Sequence, residues 1–257
     1  MGASIGKRLV MGLVVAGAVL LLLEGAARLM MPHQVHNSGG QDGHMQTDAL
    51  LGWSPIPGQS QPFGIPRQTT INSLGTRNPE PAAKADGELR LLTLGDSTVF
   101  GVLVSDEAVF SNVAARTLRR KLRSPVSAFN GGIPGYSSEQ ARRLLEHRLA
   151  SVEFDFLVVA TLWSDSQLGG IPDAMKYPER VTTQQQILQS IAVYRLLYGM
   201  LNGWQPTVVE WKLREQAGGR RVPLSAYEAN LTRLADIARA RGAEPVSYTH
   251  LTLPTKC

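Results

Sequence analysis

The chain has almost no cysteine. Its one residue of this type, Cys257, is the last of 257, so neither a disulfide framework nor a cysteine-centred site can be written for it. Aromatic residues are scarce at 6% and do not interleave the basic clusters, which are Arg119, Arg120, Lys121 and Arg123, then Arg142 and Arg143, then Arg220 and Arg221. A formal charge of +5 spread in this way reads as solvated helix faces and turns, and excludes a nucleic-acid surface. Histidine is sparse as well: His33, His36 and His44 lie in a Pro/Gly-rich stretch, His147 in a helix, and His250 near the C-terminus. None has partners at ligand spacing on a regular element, so no metal and no cofactor are expected. There is no internal repeat.

Long apolar runs are confined to the N-terminus. After Lys7 and Arg8 an uncharged run covers residues 9–23, and apolar character resumes past Glu24 to Met31. As a helix, residues 9–31 would be about 34 Å long, enough for a hydrocarbon core of about 30 Å, with Glu24 reaching toward the far interface. The positive pair ahead of the run predicts a cytoplasmic N-terminus, with everything after Pro32 outside the inner membrane of a bacterium. Gly25, Ala26 and Ala27 could instead form a signal-peptide cleavage site, and a buried core helix is a third reading. Apolar residues continuing past that site favour an uncleaved anchor.

The other end is unusual. Residues 246–255, VSYTHLTLPT, match the in-frame translation of a transposon-type sequencing-library adapter. The expectation is therefore a non-native tail at 246–257, with the natural sequence interrupted near Pro245. The resulting division is a membrane anchor at 1–31, a linker and irregular lead-in at 32–86, a truncated α/β domain at 87–245, and the tail.

Residues 32–86 are rich in Pro, Gly, Gln, Asn and Ser without a sustained period, and read as a linker leading into a small irregular or β-rich segment around LGWSPIPG and TTINSLGTR. Strand and helix signals then alternate. Apolar runs at 89–94, 126–129 and 154–162 predict three strands, the third buried on both faces. Residues 105–123 predict a helix with acidic residues in its first turn and basic ones in its last. Ser137 and Gln140 fit a capping box opening a helix to about Ala150, and Ser225 and Glu228 fit another. An irregular insertion is expected over 169–185, followed by a helix over 186–201. The face Leu188, Ile191, Tyr194 and Leu197 of that helix reads as core or as a cap over the sheet. A fourth strand should begin near Ala243. This order predicts a three-layer α/β/α sandwich with a parallel, flavodoxin-like and here incomplete sheet, its chemistry on loops beyond the carboxyl ends of the strands.

Ser97, Gly135 and Ser164 each lie just past such a strand end. A serine hydroxyl needs a base within hydrogen-bond reach and donors aimed at the oxyanion formed on attack at an acyl carbon. A serine on a strand-to-helix turn is exposed, and its own N–H can serve as one donor. The segment GDSTVFG lacks the glycine spacing and lysine of a phosphate cradle, which excludes nucleotide binding there.

GDSTVFG, GIPGYSS and WSDS, each after its own strand, resemble the SGNH or GDSL hydrolase family over about residues 89–245. The resemblance implies Ser97 as nucleophile, an oxyanion hole from the Ser97 and Gly135 N–H groups with the Ser164 side chain as a third donor, and Asp96 and Asp165 in support. The family's third block carries an asparagine donor; Ser164 stands in its place, a shorter group with one proton to give. The family's final Asp-x-x-His, source of the base, does not occur in this chain, which predicts that the chain as it stands is inactive. The implied activity is a membrane-anchored, extracytoplasmic (periplasmic) serine esterase acting on acyl esters such as O-acetylated envelope polysaccharide. The alternatives are an O-acyltransferase using the same serine and a non-catalytic envelope-binding protein with a degenerate site. Asn130 is expected to tie its loop to its neighbours, Arg77 either to line the site mouth or to make a structural salt bridge, and His147 to be a surface or boundary residue.

Overall fold

The structure, a computed structural model, describes residues 2–30, 44–48, 50–59, 71–168, 172–176, 191–194, 196–197 and 219–248. His33, His36, Leu188, His250 and Cys257 lie outside these residues, as do most of the expected insertion and helix over 169–201. The chain divides into two units, residues 1–34 with 180–206, and residues 35–179 with 207–257.

In the first unit, α1 (Gly2–Met30) contains a 24-residue stretch, Gly6–Leu29, long and apolar enough to cross a membrane. Glu24 interrupts this stretch and has its own partners. Its carboxylate accepts the N–H groups of Ala192 and Val193 at 2.9 and 3.0 Å and pairs with Arg28 at 2.7 Å. Ile191 and Leu197 are exposed and Tyr194 is half-buried.

The second unit opens with an antiparallel hairpin, β1 (Met45–Asp48) and β2 (Gly52–Pro55). Its turn is set by Asp48, whose Oδ1 accepts the N–H groups of Leu50 and Leu51 at 3.0 and 2.9 Å. The lead-in is part of the main core: Met45, Leu51, Trp53 and Ile71 are buried in one cluster with the sheet residues Leu92, Leu94, Phe129 and Leu157.

Four parallel strands follow: β3 (Leu89–Gly95), β4 (Val126–Gly132), β5 (Phe156–Ala160) and β6 (Glu244–Ser247), in the order β4-β3-β5-β6. This is the flavodoxin-type order, with β6 starting one residue after the expected Ala243. Alternation along β3 supplies both faces of the sheet, as a period of two requires. Leu92 and Leu94 join the large cluster under α4 (Ser138–Arg143) and α7 (Leu224–Ala240), while Leu91 joins Ala115 of α3 (Phe110–Leu122) on the other side. The layers are α/β/α as expected.

Several boundaries differ from the sequence reading. The acidic residues near 105 form a separate 3₁₀ turn, Asp106–Ala108, and α3 starts after Val109 with no side-chain cap. The third strand ends at Ala160, because residues Leu162–Ser166 turn into α5; within the strand Leu157 and Val159 are buried and Phe156, Val158 and Ala160 half-buried, so it is covered fully on one face only. The helix after Ser137 keeps α geometry only to Arg143, and Leu144–Arg148 form a π turn. The capping box at Ser137 and Gln140 has both of its bonds. The one expected at Ser225 and Glu228 does not form: Pro223 occupies the cap position and α7 begins at Leu224, which puts Ser225 inside the first turn, where it cannot cap. Among the described residues the 169–185 region holds α6 (Asp173–Lys176).

Candidate active site

Chemistry at this fold gathers where the strand order reverses, here between β3 and β5. The strand β3 ends at Gly95, where a Cβ would lie 2.2 Å from the Ala160 carbonyl oxygen and 2.3 Å from Val99, so only glycine lets β3 and β5 close at this point. Asp96 then caps α2 (Ser97–Phe100): its Oδ1 accepts from Thr98 N at 2.9 Å and from Thr98 Oγ1 at 2.7 Å. Ser97 is therefore the first residue of α2, half-buried, and its hydroxyl makes no hydrogen bond to a described residue.

Four hydrogen bonds tie the three strand-end loops to one another. Ser164, on α5, donates its hydroxyl proton to Asp96 Oδ2 at 3.0 Å, across the crevice between β3 and β5. Ser138, at the start of α4, donates N–H and Oγ–H to Asp165 Oδ1 at 2.8 and 2.9 Å. Ile133 N donates to Gly95 O at 2.9 Å. Asp96, Ser164, Asp165 and Ser138 are all at most 2% exposed. The sequence reading placed Ser164 as an oxyanion donor; in this arrangement its single proton is already directed to Asp96.

Asp165 is a buried acid with an incomplete shell. Asn230 of α7 donates to Ser138 Oγ at 3.1 Å, extending the chain behind Oδ1, yet Asp165 Oδ2 and Thr161 Oγ1 are both buried without a hydrogen bond. Burial pushes the carboxyl above its usual range, against the pull of the Ser138 hydrogen bonds and the Arg221 charge toward the charged form. Burial and the Asp165 charge together raise the Tyr227 phenol.

Gly135 lies in the loop after β4 with φ +80, a left-handed conformation that glycine adopts freely. Two groups hold it that the sequence reading did not connect to the site. Arg221, grouped with Arg220 as a solvated pair, is only 4% exposed: it donates to the Gly135 carbonyl and to Gln140 Oε1, both at 2.5 Å, and pairs with the buried Asp173 at 2.5 Å. Trp53, from the hairpin, donates Nε1–H to the Pro134 carbonyl at 3.0 Å and lies under the Arg221 guanidinium at 5.6 Å. Arg143, also expected on a solvated face, is 1% exposed and pairs with Glu139 at 2.7 Å.

Two further residues take structural positions. Arg77, buried, pairs with Asp106 at 2.7 Å and donates to the carbonyls of Phe100, Gly101 and Val104 at 3.0, 2.5 and 2.6 Å, so it braces the loop after α2 and does not line the site mouth. Asn130 Nδ2 donates to Val99 O at 2.9 Å and its Oδ1 accepts from Gly132 N at 2.9 Å, tying β4 to α2 as expected. His147 is exposed. No cluster of three metal-ligating side chains occurs among the described residues.

No family model and no curated protein matches the chain. Solved structures do. One is a GDSL-like lipase from Parabacteroides merdae, 14% identical with a TM-score of 0.34, covering 66% of this chain. The chain spans 62% of that protein's length. A lipase/acylhydrolase from Enterococcus faecalis is 13% identical with a TM-score of 0.29, over 61% of this chain and 74% of its own. An acetyl xylan esterase from Geobacillus stearothermophilus is 12% identical with a TM-score of 0.26, over 61% of this chain and 75% of its own.

Proposed function

We propose that the chain is a membrane-anchored SGNH/GDSL-type serine hydrolase whose α/β unit lies on the extracytoplasmic side and cleaves acyl esters, with O-acetyl groups of envelope polysaccharide as the substrate class. The observation that carries the reading is the meeting of the three motif loops around Ser97 through the Ser164–Asp96 and Ser138–Asp165 bonds. Ser97 Oγ attacks the ester carbonyl carbon and loses its proton to a base. The oxyanion accepts from the N–H groups of Gly135 and Ser97. On collapse the C–O bond to the alcohol breaks and the alcohol leaves with the proton; water then attacks the acyl-serine, freeing the acid and restoring the hydroxyl. A sugar hydroxyl in place of water would make the same serine an O-acyltransferase.

No Asp-x-x-His occurs in the 257 residues, so this chain holds no base of that pattern. Its own turnover should be slow, and a diffusible base such as imidazole should raise it. The test compares the protein with its Ser97→Ala variant on a short acyl ester in added imidazole: the protein should exceed the variant, and equal rates would reject Ser97 as nucleophile.

The Ser164–Asp96 bond favours a second reading, a non-catalytic envelope-binding protein, because it removes the one proton Ser164 has to offer an oxyanion. Binding of acetylated glycan without any Ser97-dependent turnover, with or without imidazole, would support it.

A further inference from the structure

We infer that Trp53 is a positioning residue for Gly135: its indole N–H fixes the orientation of the peptide plane that carries the Gly135 N–H. This rests on the proposed role of that N–H as oxyanion donor. The argument is one of peptide geometry. In a trans peptide the C=O and N–H of the same plane point in opposite directions. The plane carrying the Gly135 N–H carries the Pro134 carbonyl, and that carbonyl accepts from Trp53 Nε1 at 3.0 Å in a buried position. The chain contains no cis peptide bond among the described residues, so the Gly135 N–H points away from the indole, fixed in direction by it.

Other contacts keep the indole itself in place. Tyr136 Oη donates to the Trp53 carbonyl at 2.5 Å, and the two rings meet edge to face at 5.7 Å and 74°. Gln140 Nε2 donates to Leu51 O at 2.6 Å, docking the same hairpin on α4. Arg221 covers the ring and holds the next carbonyl, that of Gly135. A Cβ at residue 135 would lie 3.2 Å from Trp53 Cζ2, so the ring also closes the space beside the glycine. The hairpin therefore acts as a backing plate for the second motif loop.

The test removes the donor and keeps the ring. Benzothienylalanine incorporated at position 53 is nearly isosteric with tryptophan and has no N–H; Trp53→Phe is a second variant, and thermal unfolding of each reports whether it folds. The first readout needs no turnover. With Pro labelled at the carbonyl carbon and Gly at nitrogen, the full chain in detergent micelles gives signals from two Pro-Gly pairs, Pro57-Gly58 and Pro134-Gly135. The Pro134 carbonyl and Gly135 amide signals should move while the Pro57-Gly58 pair stays.

The second readout is imidazole-supported ester turnover, corrected by the Ser97→Ala rate. Here kcat should fall by about 10- to 100-fold with KM changed less than about twofold. Unmoved Pro134 and Gly135 signals, or unchanged kcat in a protein whose turnover depends on Ser97, would overturn the inference. Turnover independent of Ser97 would instead reject the nucleophile assignment on which it rests.

Discussion

Ser164 Oγ and Asp96 Oδ2 are 3.0 Å apart, both residues at most 2% exposed, joining the loops after β3 and β5. Two substitutions separate the consequences. Ser164→Ala leaves a buried carboxylate oxygen without its donor and should lower unfolding stability by about 1–3 kcal/mol, read from denaturant midpoints. Ser164→Asn restores an amide where the family resemblance implies one. If an oxyanion donor is what the site lacks, it should raise Ser97-dependent turnover at least about tenfold. A fall in turnover with stability retained would show that the Asp96 bond matters more than a third donor.

The buried Asp165 predicts a pH signature. Its folded-state pKa is raised above the ordinary value of 3.8, so as pH rises through that value the unfolded chain releases the proton while the folded one keeps it. The native state is then favoured progressively less until pH passes the raised value. Asp165→Asn removes this dependence. The variant's stability relative to the parent should climb with pH across that window and level off above it. A difference that is flat or declines with pH would contradict the assigned cause.

Gly135 and Gly58 form a matched pair: φ is +80 and +77, but a Cβ at 135 would meet Trp53 at 3.2 Å and one at 58 would meet nothing within 4 Å. Both alanine substitutions carry the left-handed backbone cost, about 1–2 kcal/mol. Only Gly135→Ala should cost more than this and reduce turnover as well. Equal unfolding shifts for the two would remove the ring contact from the account.

Arg77→Met should destabilise by about 2–4 kcal/mol, because three carbonyls around Gly101 lose their common donor; the Asp106 side chain, 46% exposed, is left partly hydrated. A shift below about 1 kcal/mol in chemical denaturation would show that water replaces the guanidinium at little cost.

What could be read in the sequence was local. The capping box at Ser137 is completed within three residues, and the strand-to-helix turn at Asp96 and Ser97 within two. The same kind of local signal failed at Ser225, because Pro223 had already set the helix start. The order of strands followed from alternating apolar runs and short connections. Trp53 was missed because its bond to Pro134 spans 81 residues and leaves no periodic trace. A lone tryptophan in a Pro/Gly-rich lead-in was the one available signal. Arg220 and Arg221 look alike in sequence, yet one is exposed and the other is buried against Trp53, Gly135 and Asp173; adjacent charges carry no mark of which side faces the core.

Intact-mass and peptide mass spectrometry after incubation with a short acetyl ester and imidazole tests the central claim most directly. The account predicts an acetyl group on Ser97 that builds up under imidazole and is absent from the Ser97→Ala protein. Acetylation spread over surface residues alike in both proteins, with Ser97 unmodified, would contradict it.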